Sequence, residues 1–190
     1  MENETLKSLL EDLGLSSPNP ALELLAKVDS KHLRDLRMNL NAFARSKDLN
    51  AKEVALMGLA IACNNQNQLL QHYFSQKALA AGATDLELSE MLACASVMSA
   101  NNILYRFRHF MGKETYDKMP AGIRMNIMMG PSVGKEFFEL CSLAISAVNG
   151  CEACVTAHEA AVRNLGTSES RVFEAIKLAS IVTAVGKNIY

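Results

Sequence analysis

The sequence predicts an all-α protein made of two related helical halves. Three observations carry that prediction. The chain is rich in Ala, Leu, Met, Glu and Lys, all good helix formers. It contains no alternating polar and apolar run that reads as a strand. It also matches itself without a gap at an offset of 84 residues. The four prolines, Pro18, Pro20, Pro120 and Pro131, all fall where connections are expected.

A first helix is expected over 4–13, and the stretch from Gly14 to Pro20 breaks it. Helices over about 21–28 and 31–46 follow. Asn50 caps a long helical region over about 51–81, which the Asn64-Asn65 pair can interrupt and Gly82 ends. Thr84 with Glu87 three residues on is a capping box, and opens a helix to about residue 111. Residues 112–131 hold Gly112, Pro120, Gly122 and Gly130, and accommodate at most short helices. Helix resumes over 132–148 and stops at Asn149-Gly150. Another runs over about 152–165 to Gly166. Thr167 or Ser168 caps the last, which reaches about residue 186.

At the 84-residue offset Leu56, Leu59, Ala60 and Ile61 fall on Leu140, Leu143, Ala144 and Ile145. Asn65 meets Asn149, Gly82 meets Gly166, Glu90 meets Glu174, and Ala95-Ser96 meet Ala179-Ser180. The expectation is one domain over 1–190, with a degenerate first repeat at 40–111 and a second at 132–186. What the repeats do not share is equally informative. Cys151 falls on Asn67, Cys154 on Leu70, His158 on Phe74 and Glu139 on Ala55. Shared positions are scaffold; reactive side chains occur only in the second half, as for a site grafted onto a repeated fold.

Charge and composition exclude several classes. The formal net charge is −1 and no basic tract occurs, so nucleic acid and anionic membrane are not expected partners. The acidic, amphipathic start lacks the pattern of a signal peptide, and no uninterrupted apolar run of about 18 residues suits a membrane span. Five cysteines without an export signal point to a reducing, cytoplasmic setting. A Cys pair there serves redox chemistry or a metal rather than a permanent staple.

The chemistry concentrates in N-G-C-E-A-C-V-T-A-H-E, residues 149–159. Gly150 ends one helix and Cys151 starts the next, where unpaired backbone N–H groups favour a thiolate. Cys154 lies three residues on, and His158 four beyond that, on one helical stripe. An imidazole one turn from Cys154 can take its proton, directly or through a water. If the flanking helices form an antiparallel hairpin, Glu139 stands about 16 Å up one and His158 about 12 Å up the other. Glu139 can then orient the imidazole, with Glu136 and Glu159 as rivals. Cys63, Cys94 and Cys141 sit among Ala, Leu and Ile and read as small buried hydrophobes. His32, His72 and His109 have no nearby thiol, and Met119, Met125, Met128 and Met129 read as core or subunit-contact residues.

At Glu139, Cys151, Cys154 and His158, with Asn149-Gly150 before and Ala157-His158-Glu159 around the His, the sequence resembles the alkylhydroperoxidase D (AhpD-like) family of the carboxymuconolactone decarboxylase-like superfamily. The resemblance is strongest over 132–186 and weaker over 40–186. It implies a redox pair in which Cys154 attacks a peroxide or a partner peroxiredoxin's disulfide and Cys151 resolves it. It also implies a His158–Glu139 proton relay, electrons from a dihydrolipoyl-bearing subunit, no cofactor, and a homo-oligomer, most simply a trimer. Ala153 stands where the best-known pattern has a second His, which implies a simpler relay or weaker peroxidase activity. Other readings stay open. They are a carboxymuconolactone decarboxylase-type lyase, a zinc-binding helical module using Cys151, Cys154, His158 and Glu139, and a purely structural helical module.

Overall fold

Ten α-helices and two short 3-10 turns make up residues 3–190, which the computed structural model describes; no strand occurs among them. Three helices come first: α1 (Glu4–Leu13), α2 (Pro20–Lys27) and α3 (Lys31–Ala42). Each starts at a side-chain cap, Asn3, Asn19 and Ser30 respectively, which accepts a first-turn N–H. Together they bury Leu9, Leu13, Leu22, Leu33, Leu36 and Leu40. Asn19 also donates to the Asn188 carbonyl at 2.9 Å, tying this layer to the C-terminus.

The core is built on α4 (Ala51–Asn64) and α8 (Lys135–Val148). Every residue from Ala55 to Ala62 is buried, and so is nearly every residue from Phe137 to Ser146. Helices apolar on all sides belong in an interior. Around them pack α5 (Gln68–Ala80), α6 (Asp85–Met111), α9 (Glu152–Asn164) and α10 (Glu169–Gly186). The short α7 (Glu114–Asp117) and a 3-10 turn at Asn126–Met129 lie between α6 and α8. No described helix is long and apolar enough to cross a membrane.

The helix boundaries repeat as the sequence does. Both ends of α4 and α8 differ by 84 residues, as do both ends of α5 and α9 and the starts of α6 and α10. The interruption expected at Asn64-Asn65 is present: the region 51–81 is two helices, because Gln66 adopts a left-handed conformation (φ 56°) and Asn67 caps a new start. The start at 132 departs from expectation, since helix begins only at Lys135. Glu90 accepts hydrogen bonds from the Ser132 and Val133 N–H groups and the Ser132 hydroxyl, and holds that stretch as a turn.

Phe74 shows what the first half does with its scaffold. Its ring is buried and lies so close to Gly58 that an added Cβ there would come within 2.5 Å of it. The second-half counterparts of Phe74, Gly58 and Ala55 are His158, Ser142 and Glu139.

Arg171 of α10 joins the two central helices. Its guanidinium donates to Glu53 of α4 at 2.7 Å and to both carboxylate oxygens of Glu136 of α8 at 3.0 Å. Glu53 at the same time closes the capping box with Asn50. Burial works against the charge on Glu136, but hydrogen bonds from Arg171 and Thr167 outweigh it and hold the carboxyl below its ordinary value. A depressed carboxylate stabilises the fold above the unfolded value and loses that contribution as pH falls through the folded one. Arg171→Gln should therefore cost roughly 1–3 kcal/mol at pH 7, between exposed and fully buried ion pairs. Denaturant titration at pH 7 and again near pH 3 should show the gap between variant and parent closing in acid.

Candidate functional site

The turn from α8 into α9 creates the site. Asn149 ends α8, and Gly150 follows in the left-handed region (φ 67°). The Cys151 N–H then donates to the Ser146 carbonyl and the Gly150 N–H to that of Ala147, both at 3.1 Å. This is the paired Schellman arrangement, which satisfies the last carbonyls of α8. The same two bonds occur 84 residues earlier, from Asn67 to Ala62 and from Gln66 to Cys63.

Cys151 is thus the residue that caps α9, as Asn67 caps α5. The two caps differ chemically. Asn67 Oδ1 accepts the Leu70 N–H at 3.0 Å, whereas Cys151 makes no side-chain cap bond. The counterpart of Leu70 is Cys154. The first turn of α9 therefore presents N–H groups without a side-chain acceptor, a locally positive end that favours a thiolate. Here Cys151 and Cys154 are joined as a disulfide.

Of the three candidate carboxylates, Glu139 meets His158, with Oε2 2.7 Å from Nδ1 and both side chains largely buried. Glu136 belongs to the Arg171 cluster, and Glu159 lies beside Arg163 on the flank of α9. An ionised Glu139 accepts from Nδ1–H, which leaves the lone pair on Nε2. His158, Cys154, Ala153 and Ala157 form one wall of a cleft of about 230 Å³. Asn101 and Tyr105 of α6, with Met125 and Met128 of the segment before α8, form the rest. Cys154 reaches this cleft, while Cys151 is fully buried behind it.

The α6 wall is not among the residues the sequence singles out; Met125 and Met128 line the cleft, and Met128 also packs against the core. The 84-residue offset carries a usable signal for α6, since it pairs Asn101 and Tyr105 with the apolar Val185 and Ile189. The other cysteines lie away from the site. Cys94 and Cys141 are fully buried and Cys63 partly so. Burial pushes the Cys94 thiol up to about 12, the Cys141 thiol well above its ordinary value, and Cys63 upward too. His32, His72 and His109 are exposed, and among the described residues only His109 of the three approaches a carboxylate, Glu152 at 3.5 Å.

Comparison with known proteins bears on what such a site is for. The model of the carboxymuconolactone decarboxylase family matches the chain twice, at residues 32–109 and 114–187. The chain is 37% identical over 172 residues to a protein of Anaeromyxobacter dehalogenans named alkyl hydroperoxide reductase AhpD, covering 89% of this chain and 90% of the relative. Its likeness to the protein of that name from Mycolicibacterium smegmatis is 37% over 157 residues, 83% and 88% of the two chains. For the one from Streptomyces coelicolor it is 34% over 166 residues, 87% and 93%.

The thiol environments predict a sharp division. After mild reduction, brief alkylation of the native protein at pH 8 should label Cys154, which reaches the cleft, and leave Cys94 and Cys141 unmodified until denaturant is added. Peptide mass mapping reads this directly, and labelling of Cys94 at a comparable rate would contradict it.

Proposed function

The chain belongs to the carboxymuconolactone decarboxylase family as an AhpD-like member, and on that premise we propose that it reduces alkyl hydroperoxides through Cys151 and Cys154. The observation that carries this reading is the placement of Cys154 and His158 on one apolar cleft, with Cys151 bonded to Cys154 from behind. A decarboxylating lyase has no use for a bonded Cys pair. The cleft lining includes no Lys or Arg, which suits an uncharged, apolar substrate.

The cycle starts when an external dithiol, such as a dihydrolipoyl group, gives two electrons to the disulfide and leaves two thiols. His158 Nε2 takes the proton of Cys154, and Glu139 holds the resulting imidazolium. The Cys154 thiolate attacks the terminal oxygen of the hydroperoxide. An S–O bond forms, the O–O bond breaks, and the leaving alkoxide takes the proton back from His158 as the alcohol departs. Cys154 is now a sulfenic acid. Cys151 attacks its sulfur, water leaves, and the disulfide is restored. One hydroperoxide becomes one alcohol and one water for two electrons.

The same chain is proposed to work as a homo-oligomer, most simply a trimer. Ile103, Phe107 and Phe110 recur on one stripe of α6, and Phe110 is 74% exposed. Met119 and Met129 of the following segment are exposed as well, Met129 to 81%. Apolar surface of this density marks a contact.

Cys154→Ser should abolish hydroperoxide consumption. His158→Gln should slow the reaction at pH 7 by roughly 10²–10⁴, the range of a general base, and regain much of it near pH 9, where a thiol ionises unaided. Glu139→Gln should act in the same direction but less, and the double variant should be little worse than His158→Gln alone. Rapid-mixing rates across pH 6–9 check all three, and an unchanged profile in His158→Gln would remove His158 from the mechanism. Light scattering at micromolar concentration should give three chain masses or a multiple, and a monomer would refute the assembly.

A further inference from the structure

Asn101 is a buried polar group of the cleft that the proposed cycle leaves unused. It is 7% exposed, and its Oδ1 is the one buried side-chain nitrogen or oxygen without a hydrogen-bond partner among the described residues. Its Nδ2 finds only the Met125 sulfur, at 2.9 Å, a weak acceptor. A buried carbonyl left unpaired is costly, and native proteins keep such groups rarely. Leu or Val would fill the position without that cost.

The duplicated scaffold supplies an internal control. In the first half, the end of α10 and the residues after it close over the α5 start, where Asn67 donates to the Gly186 and Ile189 carbonyls. In the second half, α6 closes over the α9 start. The residues of α6 that face the cleft there are Asn101 and Tyr105, and their α10-side counterparts are Val185 and Ile189, both buried and apolar. Hydrogen-bonding groups thus occur at these wall positions only where the wall faces Cys154. That is the same asymmetry that marks Cys151, Cys154, His158 and Glu139.

Resting on the reading of the preceding subsection, we propose that Asn101 is a substrate-binding residue whose Oδ1 accepts the terminal O–H of the hydroperoxide. A hydroperoxide has a single donor, and it sits on the oxygen that the thiolate attacks. An acceptor fixed in α6 holds that oxygen toward Cys154 on the opposite wall and leaves the alkyl group against Tyr105, Met125 and Met128. The bond orders the substrate and breaks nothing; the electrons and protons move as in the cycle above. A reagent lacking an O–H gains nothing from Asn101.

That last property gives the test. The reduced, full-length protein is mixed rapidly with tert-butyl hydroperoxide and, separately, with methyl methanethiosulfonate, a neutral thiol reagent with no hydrogen to donate. Asn101→Val should lose about threefold to tenfold in rate with the hydroperoxide, the worth of one neutral hydrogen bond. Its rate with the thiosulfonate and the pH profile of that reaction should stay unchanged. Val185 already fills the equivalent position, so the substitution suits the scaffold. Asn101→Ser, which restores an acceptor, should recover part of the hydroperoxide rate. Equal slowing with both reagents would mean a structural role and overturn the proposal, as would an unchanged hydroperoxide rate in Asn101→Val. A parent protein that reacts with the thiosulfonate and not with the hydroperoxide would overturn the preceding reading and this inference with it.

Discussion

The left-handed turn at Gly150 is the constraint on which the site's geometry rests. It ends α8, reverses the chain, and delivers Cys151 to the cap position of α9 within two residues. Because α9 then runs back along α8, a glutamate and a histidine 19 positions apart come within 2.7 Å. The turn is itself tied down from outside. Asn149 exchanges amide hydrogen bonds with Asn64 of α4 and donates to Asn102 of α6, while Arg106 of α6 donates to its carbonyl. The asparagine that fixes the turn therefore also fixes α6, which supplies the far wall of the cleft.

The five cysteines illustrate how placement decides reactivity within one chain. Cys94 and Cys141 are pressed between helices, where a thiolate would be desolvated and the thiol behaves as a small apolar group. Cys151 and Cys154 differ from them by position, at a helix start whose amides lack a side-chain acceptor. The first half spends that position on a stabilising Asn cap, a contribution of about 1 kcal/mol. The second half gives up the cap and gains a sulfur.

Local signals made most of the fold legible. The capping boxes at Asn50 and Thr84 and the glycines at 82, 150 and 166 mark helix ends through chemistry that needs no tertiary context. The break at 65–67 was harder, because its left-handed residue is Gln66 rather than a glycine. Its position was nevertheless present in the repeat, where Asn65 aligns with Asn149. The start of α8 is not legible locally, because Glu90, more than forty residues earlier, captures the amides of Ser132 and Val133. The cysteine pair and His158 were legible as one stripe of one helix. The choice of Glu139 over Glu136 and Glu159 needs the rotation of α8, which turns Glu136 to Arg171 and Glu139 to His158. Asn101 and Tyr105 lie on a helix that reads as scaffold, and only packing brings them to Cys154.

The packing of Phe74 on Gly58 has an evolutionary consequence: the first half cannot easily acquire the same set of side chains. Placing His at 74 would leave a smaller, polar ring in the buried niche over Gly58, with Ala rather than a carboxylate at position 55, at a cost on the order of a few kcal/mol. A glutamate at the buried position 55 arriving first would bury an unpaired charge. Neither change is tolerable without the other, and neither helps until Asn67 and Leu70 have become cysteines. That packing holds the first half to a supporting part, so a change to the proposed chemistry has to be made in the second half.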